Sequence, residues 1–304
     1  MLIQPTLNGP LLVLAGALCF STTGFAQALV VGDGATPLVI GALRMLIGGA
    51  ALAAWCVWRG ILPNKGRWPL KGVILPALGL AGYQVLFFTG TASVGVAVGT
   101  VASIGVSPLG VAALNWLIYR EKPVRAWYPA TAAAVLGLVL LNWTDGALDR
   151  LCSLLPSLAA GLSYAVYVVC SKPLRMYAPE AIMMMACLLC GLLLGPFLFI
   201  SPLHWLLSVK GVLVALNLGV VTAALAFSLM LAGLMKTPAP TAATLGLAEP
   251  LCAALLGFAC LHEPVTAQAV TGIACILCSA LVLIFWPTPP CGSGRSSPIS
   301  ERRA

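Results

Sequence analysis

A succession of apolar runs, each about 20 residues long, constrains this chain more than any other feature. A helix of about 20 residues spans the hydrocarbon core of a bilayer. The chain has 304 residues, of which 61% are hydrophobic and only 8% are charged, so it has too few charges to cover a surface in water. The runs therefore exclude a soluble globular domain and a disordered chain, and they predict an all-α polytopic membrane protein.

The apolar runs divide into ten predicted membrane helices. Outer-membrane strands alternate polar and apolar residues over about 10 positions, whereas these runs are apolar on all sides for twice that length. The connections between them are short and leave no room for a catalytic domain outside the membrane. The predicted helices are Pro10–Val31, Pro37–Trp58, Gly72–Gly90, Ser93–Tyr119, Ala126–Trp143, Cys152–Cys170, Ala181–Ile200, Gly211–Leu234, Pro240–Leu261 and Thr266–Trp286.

The basic residues predict the orientation. If both termini are cytoplasmic, Arg150 and Lys210 fall outside, Arg44 falls within a helix, and the rest of the 16 Lys and Arg residues fall in cytoplasmic segments. Cytoplasmic loops carry such an excess of positive charge. We therefore expect a multi-pass protein of the cytoplasmic membrane with a disordered cytoplasmic tail over residues 287–304. The net charge of +8 is explained by these loops, and no nucleic-acid partner is expected.

An internal repeat divides the chain into two halves. A shift along the sequence aligns Pro108–Leu141 with Pro250–Leu283, and in each copy twelve residues separate the first proline from a glutamate, Glu121 or Glu263. Five predicted helices separate the copies, so the two halves enter the membrane from opposite sides. Inverted repeats of this kind are common among secondary transporters. We therefore assign residues 10–143 and 152–286 to two inverted five-helix repeats.

The order of these motifs resembles the drug/metabolite transporter superfamily, in particular its ten-helix EamA-type transporters. The resemblance rests on the first-helix segment Ala17–Gly24 (Ala-Leu-Cys-Phe-Ser-Thr-Thr-Gly), on Pro37 followed by Ala42–Arg44, and on both Pro-x12-Glu copies. One departure is Phe20, where the family often has tryptophan. The resemblance implies a secondary transporter, often an exporter of amino acids or other small metabolites, that needs no cofactor.

The source of energy is constrained by the lysines. None of the six is preceded by glycine, so the phosphate-binding loop of an ATP-driven pump is missing. Transport would use a gradient, with the proton as a candidate coupling ion, or exchange, or downhill flow. The expected partners are therefore a small-molecule substrate and membrane lipid, and the chain is predicted to be a monomer or a homodimer.

Other functions are less favoured by the sequence. An intramembrane aspartyl protease needs paired membrane aspartates, but Asp33, Asp145 and Asp149 all fall in predicted loops, so we expect no enzyme. The Cys-x-x-Cys pairs lie in apolar helices and predict packing, not a metal site. A sugar-phosphate or nucleotide-sugar exchanger needs several cations in its cavity, where only Arg44 is available. Efflux of lipophilic drugs remains an alternative.

Two prolines predict the position of the substrate site. Pro108 and Pro250 each remove a helical hydrogen bond and free a carbonyl four residues earlier, at Ile104 and Gly246. Such interruptions at matching positions of the two halves are the best sequence signal for a substrate site. We therefore expect a cavity lined by both halves at the level of these two helix breaks. The residues predicted to bind substrate are Tyr83, Gln84, Thr100, Ser103, Ser107, Tyr164, Tyr167 and Glu249.

Two charges lie clearly within the predicted membrane helices. A charge at the bilayer centre costs roughly 2.5–3.5 kcal/mol on insertion scales, so each needs a partner or a function. Glu249 precedes Pro250 directly and is predicted to bind a substrate amine or a proton. The alternatives are a structural pair with Arg44, or a protonated glutamate bonded to the backbone. For Arg44 we expect a structural role.

Overall fold

The fold is all-helical. The computed structural model describes residues 8–61, 69–94, 96–141, 153–252 and 267–285, and within these ranges there are helices and no strand. Every predicted membrane segment contains described helix, which confirms the all-α polytopic fold. The helices are α1 (Asn8–Phe20), α2 (Thr22–Val31), α3 (Pro37–Arg59), α4 (Leu70–Val94), α5 (Val96–Tyr119), α6 (Trp127–Leu141), α7 (Leu155–Cys170), α8 (Pro179–Leu194), α9 (Val209–Leu216), α10 (Ala226–Leu234), α11 (Ala239–Leu245), α12 (described over 248–252) and α13 (Ala267–Phe285).

Several of these helices are both long enough and apolar enough to cross a membrane. An α-helix rises about 1.5 Å per residue, so about 20 residues cross the hydrocarbon core. Within the described ranges, six helical stretches are long and apolar enough to do so, and Trp127–Leu140 and Val270–Phe285 are shorter apolar helices. The six are Asn8–Gln27, Pro37–Arg59, Leu70–Val94, Gly99–Tyr119, Pro179–Phe199 and Val209–Leu234.

Helices of the first half pack mainly on helices of the second half. The contact of α4 with α7 has its counterpart in the contact of α1 with α10 when the halves are exchanged. The contacts of α3 with α8 and of α6 with α13 each join a helix to its own counterpart. Two repeats related by a two-fold axis would pack in this way. The tail and residues Trp143, Cys152, Glu263 and Trp286 lie outside the described residues, and the inverted orientation stays a prediction.

The two proline-containing helices differ. Helix α5 continues through Pro108 without interruption, so the helix break expected there is a single missing hydrogen bond within a long, well-packed helix. In the second half, α11 ends at Leu245 and helix resumes at residue 248. Pro250 therefore lies in the first turn of α12, where its missing N–H would have no helical partner anyway.

Glycines allow two close helix contacts between the halves. A Cβ added at Gly79 would lie 2.7 Å from the backbone nitrogen of Tyr167, so α4 and α7 touch through their backbones. A Cβ added at Gly191 on α8 would lie 2.7 Å from the side-chain Cδ2 of Leu46 on α3. Small residues at helix interfaces permit such approach in membranes. Gly195, in contrast, has open space around it.

Candidate functional site

A cavity lies among helices of both halves. It is formed by α1, α4, α5, α7, α10, α11 and α12, and the free space between its atoms, including the open mouth, is about 450 Å³. Its walls carry one acid, two serine hydroxyls, two phenols and otherwise apolar side chains. The lining residues are Phe20, Tyr83, Ser103, Ile104, Ser107, Tyr164, Phe227, Met230, Ala243, Gly246 and Glu249.

The structure brings five of the predicted substrate-binding residues to this cavity. Ser103 and Ser107 lie one turn apart on α5, which places both hydroxyl-bearing side chains on the same face of the helix. Tyr83 comes from α4, Tyr164 from α7 and Glu249 from α12. Their role in binding stays a prediction, but their convergence from four helices places the acid, the phenols and the hydroxyls around one space.

Three of the predicted residues do not line the cavity. Gln84 follows Tyr83 directly, so its side chain is rotated about 100° around the α4 axis and points away from the cavity. It is completely buried and accepts a hydrogen bond from Arg44. Tyr167 is also buried, and its hydroxyl donates to the Sδ of Met183 at 3.1 Å. Thr100 is half-buried on α5, one turn before Ser103.

The cavity lies at the level of the two prolines. Ile104 and Gly246, each four residues before a proline, both line it, whereas Pro108 and Pro250 are buried behind it. The Gly246 carbonyl expected to be free accepts the backbone N–H of Glu249 at 3.0 Å. This tight turn between α11 and α12 compensates for the missing proline N–H and sets the position from which the Glu249 side chain reaches the cavity.

Two aromatic pairs form much of the wall. The tyrosine pair, Tyr83 and Tyr164, has ring centroids 5.4 Å apart at an interplanar angle of 55°. The phenylalanine pair, Phe20 and Phe227, has centroids 4.7 Å apart at 78°, an edge-to-face contact. Each pair joins a helix of the first half to a helix of the second half. Sequence reasoning did not assign Phe227 or Met230 to the site, and for Phe20 the only signal was its departure from the family motif.

Arg44 lies outside the cavity lining and is held by several contacts. Its side chain is buried, with Nη1 donating to Gln84 Oε1 at 3.4 Å and Nη2 donating to the Thr222 carbonyl at 3.0 Å. Thr222 belongs to a π-helical segment, Asn217–Leu225, between α9 and α10. The guanidinium also lies 5.8 Å from the ring centroid of Phe20 and 5.4 Å from that of Phe227. Arg44 thus connects α3 with α1, α4 and the second half, and its structural role stays a prediction.

The Glu249 carboxylate faces the cavity without a direct partner. In the part of the chain that the structure describes, it forms no ion pair. Arg44 acts on it electrostatically, but the two side chains do not form an ion pair. The Ser103 hydroxyl is buried and likewise has no hydrogen-bond partner among the described residues. The cavity therefore offers an acceptor and a hydroxyl that the described residues leave unpaired.

Ion pairs join the two halves at opposite ends of the bundle. Glu121, which follows α5, pairs with Lys172, which follows α7. Asp33, which follows α2, pairs with Lys210 at the start of α9, and 2.6 Å separates the Asp33 Oδ2 from the Lys210 Nζ. Partial burial of Glu121 opposes its ionisation, but the hydrogen bond and the charge of Lys172 outweigh this and lower the pKa of Glu121 below its usual range. The pairs thus link the halves on both predicted sides of the membrane.

The chemistry of the described residues gives no metal site. Cys187 and Cys190 are buried free thiols in α8, and no group of three His, Cys, Asp or Glu side chains that could hold a metal lies within the described ranges.

Comparison with known proteins places this architecture among transporters. The model of the EamA-like transporter family matches residues 7–143 and again residues 152–285. The chain is 37% identical over 282 residues to the uncharacterized transporter YwfM of Bacillus subtilis (strain 168), covering 91% of this chain and 94% of that protein. It is 27% identical over 276 residues to the protein PecM of Dickeya dadantii (strain 3937), covering 88% of each. A solved crystal structure superimposes with a TM-score of 0.77 at 20% identity, over 90% of this chain and 94% of the other, which shows a shared fold.

Proposed function

Because the chain belongs to the EamA-like transporter family, we propose that it is a secondary active transporter that exports a small organic metabolite, such as an amino acid or a related solute. Family membership indicates a transporter and not an enzyme, and the apolar helices make it a multi-pass membrane protein. The proposal places it in the cytoplasmic membrane, with both termini inside and with alternating access to a central site.

The observation that carries this proposal is the cavity shared by the two halves. Its walls come from five residues of the first half and six of the second, and they meet at the level of Ile104 and Gly246. A site on the surface between two repeats can open to either side when one repeat rocks against the other. A cavity within a single repeat would not have this property.

The ion pairs at the two ends support alternating access. Opening toward the cytoplasm would separate Glu121 from Lys172, and opening toward the outside would separate Asp33 from Lys210. Lys210, Asp33 and Glu121 have exposed side chains, whereas Lys172 is only 15% exposed. Exposed ion pairs contribute only about 0–1 kcal/mol each. Such weak links can form and break during a transport cycle without trapping the protein in one state.

Glu249 is the residue we assign to coupling with a proton. It is the acid in the described cavity wall, and it adjoins the turn between α11 and α12. The first half carries Ser107 at the corresponding position before its proline, so the acid belongs to one half only. An architectural residue of the repeat would be expected in both copies, and this asymmetry favours a role in transport.

The lining also distinguishes among the other substrate classes. No Lys or Arg is among the described residues of the cavity wall, which disfavours a sugar phosphate or a nucleotide sugar, because several cations are needed to bind phosphate. The aromatic and aliphatic lining favours efflux of lipophilic compounds as the second candidate function.

The test is transport by purified protein in proteoliposomes. A panel of labelled amino acids, amines and other small solutes is offered with and without a pH gradient, and empty liposomes give the background. We expect at least one solute to move only in protein-containing vesicles, and Glu249→Gln to lose most transport or its pH dependence while reaching the membrane at normal abundance. Glu180→Gln, at the start of α8, is the matched control and should transport normally. If no solute moves, or if Glu249→Gln transports like the parent at every pH, the corresponding part of the proposal is wrong.

A further inference from the structure

The polarity of the cavity carries information about its ligand. The charged side chain in its described wall is Glu249, and the carboxylate lacks a direct partner there. A carboxylate left without an ion pair in a largely apolar space is stabilised by a cationic ligand and destabilised by an anionic one. The site therefore favours a cationic ligand over a neutral or anionic ligand of similar shape.

The tyrosine pair lines the cavity together with this acid. Tyr83 and Tyr164 are both close enough to Glu249 to interact with it electrostatically. The ring faces of tyrosine attract cations, and the attraction grows when the cation is removed from water. An acid beside two phenol rings is a combination suited to an ammonium group.

The phenylalanine pair lines the same cavity, and Arg44 lies close to both of its rings. The Arg44 guanidinium lies over both of its rings and donates to Gln84 and Thr222, and Arg44 is not among the residues that line the cavity. Its positive charge disfavours an ammonium group beside the rings of Phe20 and Phe227. A ligand with one cationic end and one apolar end would thus be oriented, with the ammonium toward Glu249 and the apolar body against Phe20 and Phe227.

From this arrangement we infer that the substrate class is aromatic or other apolar-bodied amines, bound as cations between the tyrosine pair and Glu249. This inference rests on the proposed transport function and narrows it. An amino acid would place its carboxylate in the same cavity as Glu249, where the described wall supplies no cation to meet it. The hydroxyls of Ser103 and Ser107 remain to accept hydrogen bonds from the ammonium group.

The test compares three probes that share one apolar body. These are 2-phenylethylamine (a cation at pH 7), phenylalanine (a zwitterion) and 2-phenylethanol (neutral). Their equilibrium binding to the purified full chain in detergent is measured by calorimetry at pH 7. We expect the amine to bind at least about tenfold more tightly than either other probe, as one direct charge contact would give. If phenylalanine or 2-phenylethanol binds as tightly, or if the amine does not bind, the inference is overturned.

Variants locate the ammonium site. Glu249→Gln should reduce amine affinity about tenfold or more and remove the preference over 2-phenylethanol. Tyr83→Leu should weaken amine binding about fivefold, whereas Tyr83→Phe keeps the ring and should bind nearly normally. Glu180→Gln is the matched control for the removal of an acid. Equal amine binding by parent and Glu249→Gln would overturn the inference.

The outcome remains decisive if a variant does not fold, because the three-probe comparison on the parent protein alone decides the charge preference. Failure of the inference is also distinguishable from failure of the transport function. Vesicles that move other solutes while the purified protein shows no preference for the amine would keep the transporter and reject only the amine as its substrate class.

Discussion

Replacing Gly79 by alanine tests whether the contact between α4 and α7 positions the cavity. The added Cβ would lie 2.7 Å from the backbone nitrogen of Tyr167 and 2.9 Å from the carbonyl oxygen of Ser163. Both are backbone atoms and cannot rotate away. Tyr83 lies one helical turn beyond Gly79 on the same face of α4, and its ring meets that of Tyr164 on α7.

The magnitude follows from these distances. Favourable contact between carbon atoms is reached at about 3.5–4.0 Å, so the two helices must separate locally by roughly 0.8 Å. Overpacking of this kind typically costs about 1–3 kcal/mol. The better helix propensity of alanine offsets roughly 0.5–1 kcal/mol of this. The middle of both ranges gives a net loss of about 1 kcal/mol in the free energy of unfolding, together with a displaced tyrosine pair.

The assay is thermal unfolding of the detergent-purified protein at a fixed scan rate, paired with proteoliposome transport. For a chain of this size the loss corresponds to a fall of roughly 2–4 °C in Tm. The matched control is Gly195→Ala, which adds the same methyl group where no atom lies within 4 Å and where the backbone is helical. The control should be unchanged or slightly stabilised. Equal Tm values for the two variants would refute the reasoning.

Three further changes test individual contacts. Arg44→Lys keeps the charge but loses the planar fork that reaches Gln84 and the aromatic rings, so Tm should fall by an amount equivalent to about 2 kcal/mol; an unchanged Tm would contradict the structural role. Glu121→Gln removes a carboxylate whose pKa is lowered in the folded state, so its stabilisation is present above the unfolded pKa and is lost as pH falls through the folded pKa. The Tm difference between parent and Glu121→Gln should therefore be largest near neutral pH and vanish in acid. A difference that grew in acid would contradict a lowered pKa of Glu121 in the folded state. Tyr167→Phe should leave substrate affinity unchanged, because its hydroxyl contacts Met183 outside the cavity, and a large loss of affinity would place Tyr167 in the site after all.

Local composition was sufficient to predict the helices. An apolar run of about 20 residues has few stable states other than a membrane helix, because every backbone polar group must be satisfied within the segment. The observed helix ends differ from the predicted ends by a few residues, because turns are decided by one or two residues. Helix α4, for example, extends to Val94, past the break predicted at Thr91 and Ala92. The proline at position 108 was also visible in the sequence, but its effect was not, because α5 remains continuous through it.

Part of the site was predictable for the same local reason. Glu249 is a charge in an apolar helix beside a proline, and Ser103 and Ser107 share one face of α5, so both signals are contained within a few residues. Tyr83 and Gln84 have similar sequence surroundings, however, and only one of them lines the cavity. The rotation of α4 against α7 and α3 decides between them, and that rotation depends on residues that are distant in the sequence.

The sequence by itself determined the apolar helices, their order and the polar residues that are expensive to bury, because these depend on short-range composition and on the cost of charge in a bilayer. Only the tertiary structure decided which side chains share a cavity. Phe20 and Phe227 are more than 200 residues apart in the sequence and touch at 4.7 Å. Arg44 is directed toward Thr222 and these rings, and not into an ion pair with Glu249. These choices follow from close packing of α1, α3 and α10, which no local pattern encodes.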